Sequence, residues 1–139
     1  MTATASMTKT IPATGTKTTS RFRGYASFGN GESSVLLELA DSFTARQRGL
    51  MGRKSMPECC GMLFTGLTGG SFWMKGCLID LDIVFLDDGK VSLAYTMKAD
   101  GGTKMYRYGG ENAAIELPAG FCHRHGISKG TKVEVRTWR

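Results

Sequence analysis

The stretch LDIVFLDDGKVSLAYTM, residues 81–97, has the pattern of two antiparallel strands joined by a tight turn. Residues 81–86 are mostly apolar, and residues 90–97 return with apolar side chains at alternate positions. Between them, Asp88 and Gly89 form a dipeptide that favours hairpin turns, because both residues accept positive φ angles. The stretch therefore predicts a β-hairpin.

Short strand signals recur along the rest of the chain. They lie at residues 35–39, 62–65, 71–75, 113–117 and 132–138. Asp41 and Ser42 offer an N-cap for a short helix over residues 43–48, and residues 118–126 have room for one helical turn. Residues 99–110 are rich in glycine and polar residues, which indicates a loop. The pattern predicts a mainly β protein, a small β-barrel or sandwich with one or two short helices.

The first 24 residues differ in composition from the rest. Eight of the first twenty are Thr, and the first 23 contain four basic residues and no acidic residue. The other 14 of the 18 Lys and Arg residues face 12 acidic residues, so most of the net charge of +6 lies near the N-terminus. We therefore expect residues 1–24 to form a flexible arm and residues 25–139 a single compact domain. The expected arm contacts are its four cations, Lys9, Lys17, Arg21 and Arg23.

The distribution of apolar residues along the chain predicts the compartment in which the protein is found. No apolar run is long enough to span a membrane, and the N-terminus lacks the continuous apolar core of a signal peptide. We therefore expect a protein that is cytoplasmic or carried in a particle such as a virion, that is not secreted by a signal peptide and that does not bind membranes.

The cysteines give little sign of a metal site. Cys59 and Cys60 are adjacent, and side chains of neighbouring residues usually diverge, so they make a poor chelating unit. Cys77 and Cys122 are isolated, and no CxxC pair occurs. Cys122, His123 and His125 could hold a zinc ion with Cys77 as a possible fourth ligand, but these candidates are scattered along the sequence, which favours structural roles for them. We expect four reduced thiols, no metal and no other cofactor.

Five motifs in a fixed order are similar to the uncharacterised family called domain of unknown function 192. They are TARQRGLMGR (residues 44–53), GMLF (61–64), SFWMK (71–75), LDIVFLDDGKV (81–91) and ELPAG with HGISKG (116–130). The resemblance implies a compact, mostly β domain and no established activity. The chain departs from the family pattern at Gly76 and Cys77, where Asn-Thr is usual, and at Asp80, where Pro is usual. These departures bear on any ligand that the Asn-Thr turn holds.

Five polar or aromatic residues are candidates for a binding site: Arg46, Arg53, Trp73, Lys75 and Asp82. An exposed Trp beside cations suits a planar or anionic ligand, through stacking and charge. The ordinary alternatives stay open at each position. The arginines can be salt-bridged at the surface, the Trp can cap the end of a barrel, and the Asp can accept structural hydrogen bonds.

These features leave more than one function. We favour a non-enzymatic interaction or structural module, docked by its N-terminal arm onto protein partners in a larger homo- or hetero-oligomeric assembly. The alternative is a small-molecule-binding protein, or an enzyme of unknown reaction, that uses the five candidate residues. Nucleic-acid binding is a third hypothesis, restricted to the basic arm and therefore strongly salt-dependent.

Overall fold

The computed structural model describes residues 20–138, which contain nine strands and two short helices. The strands are β1 (Gly24–Phe28), β2 (Ser33–Ala40), β3 (Cys60–Thr65), β4 (Gly70–Phe72), β5 (Leu81–Asp87), β6 (Lys90–Met97), β7 (Tyr106–Tyr108), β8 (Ala113–Pro118) and β9 (Val133–Thr137). The helices are α1 (Phe43–Arg48) and α2 (Phe121–Arg124). The prediction of a mainly β fold with one or two short helices is confirmed.

Seven strands form one curled sheet that resembles half of a barrel, and two short strands form a second sheet. The order in the large sheet is β6-β5-β8-β3-β2-β1-β9. Only β2 and β3 pair in parallel within it, across a connection that contains α1. The small sheet pairs β4 with β7. The large sheet carries the core, and the small sheet covers part of one face.

The predicted hairpin is confirmed in the pairing of β5 with β6. Asp88 and Gly89 connect the strands with φ angles of 54° and 74°. Two successive positive φ angles match the right-handed twist of the flanking strands, which is why this dipeptide is favoured there. The pairing is irregular between Phe85 and Leu86.

The predicted helix over residues 43–48 is also confirmed. Ser42 is its N-cap, and the Ser42 side chain accepts a hydrogen bond of 3.1 Å from the backbone N–H of Ala45. Gly49 ends the helix at a positive φ of 47°. Leu50 then turns back into the core and is almost fully buried. The short helix is thereby anchored at both ends, with its basic residues held above the sheet.

Both faces of the large sheet are packed, because side chains alternate along each strand. One face carries the core cluster of Leu37, Leu63, Val84, Ile115, Leu117 and Phe121 among others. The opposite face carries Leu50, Met62, Phe64, Met74, Ile83 and Phe85 among others. A row across this second face runs Glu38, Met62, Glu116 and Ile83 on β2, β3, β8 and β5. Two acidic side chains, Glu38 and Glu116, thus lie within a buried surface.

Three details differ from the sequence prediction. Residues 73–75 are irregular, because β4 ends at Phe72. The predicted loop over residues 99–110 contains β7, and β1 is a strand that the sequence analysis did not predict. After β4, Met74 is fully buried, whereas Trp73 is 52% exposed.

The last residues of the predicted arm contact the domain. The backbone N–H of Arg23 donates to the Leu37 carbonyl at 2.8 Å, and the Arg23 carbonyl accepts from the backbone N–H of Trp138 at 2.8 Å. Arg21 Nε lies 3.1 Å from a carboxylate oxygen of Glu38. The other two arm cations, Lys9 and Lys17, lie outside the described residues. Within residues 20–138, no helix is long and apolar enough to cross a bilayer.

Candidate functional site

A pocket of about 430 Å³ opens between α1, the turn after β3 and the segment that follows β4. Its inner walls are aromatic: Phe64, Phe72 and Tyr108. These rings pack on one another, with centroids 5.1 Å apart for Phe64 and Phe72 and 5.7 Å apart for Phe72 and Tyr108. Phe43 and Trp73 are 71% and 52% exposed and also line the pocket. The walls therefore suit a flat or apolar ligand body.

Three cations line the same pocket. Arg46 comes from α1 and donates from Nη1 to the Thr65 carbonyl at 2.9 Å, which fixes its guanidinium beside the turn after β3. Lys75 places its Nζ 5.4 Å from the centroid of the Trp73 ring. Arg48 at the end of α1 is the third. Among residues 20–138, none of the three forms an ion pair. Their charges are therefore available to an anion.

A buried carboxyl group also belongs to the pocket. Glu116 on β8 is 5% exposed, and its Oε1 has no hydrogen-bond partner among the described residues. Burial raises the pKa of this carboxyl to about 8, because the charged form loses its hydration. Glu116 is therefore mostly protonated at neutral pH, and a bound molecule can satisfy it.

Cys77 is the thiol in the same pocket. Burial raises its pKa to about 11, and the neighbouring Glu116 contributes in the same direction. The thiol thus stays protonated at neutral pH and adds a small, weakly polar surface beside the carboxyl group.

The structure brings three of the five candidate residues together. Arg46, Trp73 and Lys75 all line the pocket. Arg53 instead makes a bidentate pair with Glu38, at 2.9 and 2.8 Å. The pairing raises the pKa of the guanidinium, first through the side-chain hydrogen bond to Glu38.

Asp82 lies on the opposite face of the sheet from the pocket. It pairs in register with Leu117, whereas its neighbour Ile83 pairs with Glu116. Its Oδ1 accepts from the Thr96 hydroxyl at 2.9 Å, and its Oδ2 accepts from the backbone N–H of Cys122 at 3.0 Å. Asp82 thus accepts hydrogen bonds that tie α2 to the sheet, as in the structural alternative for this residue.

Sequence reasoning did not select Glu116 as a site residue. It was visible only as the acid in the strand signal AAIEL, where alternation suggests that it faces solvent. The residues on both sides of it are apolar, and β8 lies between β5 and β3 with core clusters on both faces of the sheet. A single acid in such a strand is buried and requires a partner.

A second polar cluster joins α2 to the turn before β3. Glu58 accepts two hydrogen bonds from Arg124, at 2.9 and 2.7 Å, and its Oε2 lies 2.8 Å from His125 Nε2. His125 Nδ1 is 2.9 Å from the Ser33 hydroxyl. The Arg124 hydrogen bonds are the main cause of the lowered pKa of Glu58. Glu58 thus bonds to both Arg124 and His125, and these contacts hold the turn before β3 against α2.

The expectation that the adjacent cysteine side chains diverge is wrong. Cys59 Sγ and Cys60 Sγ lie 2.8 Å apart. The cause is a turn, since the backbone N–H of Cys60 donates to the Pro57 carbonyl at 3.1 Å. A turn before the strand removes the alternation that separates neighbouring side chains. Within the described residues, no three His, Cys, Asp or Glu side chains are grouped to hold a metal ion.

Solved structures of other proteins share this fold. A Sinorhizobium meliloti 1021 protein, described as a proposed transcription regulator, is 26% identical with a TM-score of 0.76. The similarity covers 84% of this chain and 97% of that one. A protein of unknown function from Novosphingobium aromaticivorans DSM 12444 is 28% identical with a TM-score of 0.72, over 81% of this chain and 83% of that one.

Family comparison agrees with the motifs. No curated protein matches this chain. The model of DUF192, domain of unknown function 192, described as an uncharacterized ACR, matches residues 26–135. This span contains all three cations of the pocket as well as Glu116, and it covers most of the sequence. The chain therefore belongs to the uncharacterised DUF192 family.

Proposed function

We propose that this protein binds a small organic anion with a flat apolar body in the pocket beside α1. The observation that carries the proposal is the buried Oε1 of Glu116, which has no hydrogen-bond partner within residues 20–138. It lies in a pocket lined by Arg46, Arg48 and Lys75, none of which is ion-paired within the same range. Buried polar groups without partners are rare in folded proteins, and a missing ligand is one explanation for them. The aromatic walls account for the apolar part of the ligand.

The cations of the pocket and the carboxyl group of Glu116 recognise different parts of the ligand. Arg46, Arg48 and Lys75 attract the anionic group, and the Arg46 guanidinium is already oriented by its hydrogen bond to Thr65. The protonated carboxyl of Glu116 donates to a hydrogen-bond acceptor on the ligand. Cys77 is held as a thiol, which is a poor nucleophile, so the pocket supports binding better than thiol catalysis.

A fluorescent aromatic sulfonate, 8-anilinonaphthalene-1-sulfonate, tests the pocket directly. The double variant R46A/K75A should weaken binding of this probe roughly tenfold, because two charged contacts are lost. The matched control is Lys129→Ala, which removes an exposed cation that does not line the pocket. Equal affinity for wild type and R46A/K75A would show that the probe does not use this pocket and would overturn the proposal.

The pH dependence of the same probe tests Glu116. Above its pKa of about 8, the carboxyl becomes negative and repels an anionic ligand. Binding by the wild type should therefore weaken between pH 7 and pH 9, by severalfold, whereas E116Q should show no such loss. An uncharged analogue, N-phenyl-1-naphthylamine, separates charge repulsion from any change in the apolar walls. Parallel pH curves for wild type and E116Q would exclude Glu116 from the binding site.

The arm-docked assembly module stays a second proposal, with a virion or other particle as its setting. It rests on the basic Thr-rich composition of residues 1–24. Its test is native mass spectrometry of the full chain and of a chain starting at Ser20, which keeps the Arg21 contact with Glu38. Loss of a defined oligomer in the shorter chain supports docking by the arm, and an unchanged oligomer contradicts it.

Nucleic-acid binding is the weaker use of the same arm. The description of the Sinorhizobium protein as a proposed transcription regulator raises the question. Residues 25–139 carry nearly balanced charge, which gives little electrostatic support to recognition by the domain itself. Binding through the arm should fall steeply with added salt.

A further inference from the structure

We propose that Cys59 and Cys60 form a dithiol site that undergoes thiol–disulfide exchange with low-molecular-weight disulfides. The basis is their geometry, since the two Sγ atoms are 2.8 Å apart and the turn from Pro57 holds them on one side of the chain. This site is independent of the pocket and of the anion-binding proposal.

The two thiols differ in solvent exposure, and this difference determines which of them reacts first. Cys59 is exposed and can be reached by a small disulfide, whereas Cys60 is 6% exposed. Burial, followed by the neighbouring Cys59, raises the pKa of Cys60 to about 12, so Cys60 stays protonated while Cys59 reacts first. An exposed attacking thiol beside a protected resolving thiol suits two-step exchange, because access decides which sulfur meets the incoming disulfide first.

The chemistry proceeds in two balanced steps. The Cys59 thiolate attacks one sulfur of a disulfide RSSR, forming a Cys59–SR mixed disulfide and releasing RS⁻. Cys60 then transfers its proton to the released RS⁻, which gives the first RSH. The Cys60 sulfur attacks Cys59 Sγ and displaces the second RS⁻. This second RS⁻ takes up the proton that Cys59 released at the start, which gives the second RSH. Two electrons pass from the protein to RSSR, giving an intramolecular Cys59–Cys60 disulfide and two RSH.

A structural consequence follows from the position of the pair. The Cys59 carbonyl accepts from the backbone N–H of Leu36 at 2.8 Å, and Cys60 opens the parallel pairing of β3 with β2. Closing a ring between adjacent residues changes the backbone angles between them. Oxidation should therefore expose the Leu36 amide to exchange with solvent.

Treatment of the full chain with glutathione disulfide, followed by intact mass measurement, tests the proposal. The wild type should lose the mass of two hydrogens at this pair and retain no glutathione there. C60S should stop at a stable glutathione adduct on Cys59, and C59S should form no adduct at Cys60. The matched control C122S should behave as the wild type, because its thiol is separate from the pair. A glutathione adduct that persists on wild-type Cys59, or no reaction at this pair, would overturn the proposal.

Two further measurements use only the wild-type protein, so their results do not depend on whether a variant folds. Wild-type protein should bind one phenylarsine oxide across the two sulfurs, measured by mass, and prior oxidation with glutathione disulfide should abolish this binding. Hydrogen exchange at Leu36 should be faster in the oxidised wild type than in the reduced wild type. Arsenical binding that survives oxidation would place the reactive dithiol elsewhere and contradict the assignment.

Discussion

Glu38 and Glu116 lie on either side of Met62 in the same row of the large sheet, and both are largely buried. Glu38 receives two hydrogen bonds from Arg53 and an ion pair from Arg21. Glu116 has an oxygen with no partner among the described residues. The two acids occupy equivalent sheet positions, yet Glu38 is paired with arginines, whereas Glu116 keeps an oxygen without a hydrogen-bond partner among the described residues.

The difference separates a structural acid from a candidate functional one. A buried carboxylate with a bidentate arginine has its charge compensated and fixes the segments that carry the pair. A buried carboxyl group without a partner reduces stability unless it is protonated or bound by a ligand. The fold carries both beside Met62, and within residues 20–138 it is Glu116 that opens onto a pocket whose cations form no ion pair.

The largest expected effect is the pH dependence of stability due to Glu116. Its pKa is 4.5 in the reference state and about 8 in the fold, so the native state binds the extra proton between these values. Stability from this group is fully present below pH 4.5 and is lost as pH rises to 8, by about 1.4 kcal/mol per pH unit within this window. Urea unfolding of wild type and E116Q across this window measures the effect, and E116Q should show the flatter profile. Identical slopes would mean that Glu116 is ionised in the fold.

Removing the partner of Glu38 should give the next largest effect. Among the described residues, R53A leaves the buried Glu38 carboxylate with Arg21 as its one remaining cation. We expect a loss of about 2 kcal/mol in unfolding free energy. R48A is the matched control, because Arg48 is exposed and unpaired among the described residues, and it should change stability little. Equal urea midpoints for R53A and R48A would show that Glu38 does not depend on its bidentate partner.

The smallest effect concerns Arg21. Its side chain is 62% exposed, so the ion pair with Glu38 is screened by water and should contribute less than about 0.5 kcal/mol. Thermal unfolding of R21A at low and high salt checks this value. A loss as large as that of R53A would mean that Arg21, although exposed, is the main partner of Glu38.

Local signals in the sequence predicted much of the fold. The Asp88-Gly89 turn and the Ser42 N-cap are set by neighbouring residues, so they are readable from a short window. β4 and β7 are three residues each and depend on each other, which leaves no periodic pattern to detect. The family motifs supplied the rest of the fold assignment.

The candidate site was predictable only in part. Arg46, Trp73 and Lys75 stand out by residue type within the motifs at residues 44–53 and 71–75, and only the fold brings them into one pocket. Glu116 and Asp82 are both acids in apolar strands, and only the register of β5 with β8 shows that they face opposite sides of the sheet. Pairing between distant segments determines this, and no local pattern contains it.

The pairing of β1 with β9 has a mechanical consequence. Gly24 begins β1 and pairs with Thr137 at the end of β9, so the two ends of the described domain leave the sheet side by side. A force that separates residues 23 and 138 would load the hydrogen bond between them first and then the remaining bonds one after another. Unzipping of this kind needs less force than sliding two strands along each other. When pulled from its ends, the domain should open first between β1 and β9, and the opposite edge of the sheet, where β6 pairs with β5, should be the last part to yield.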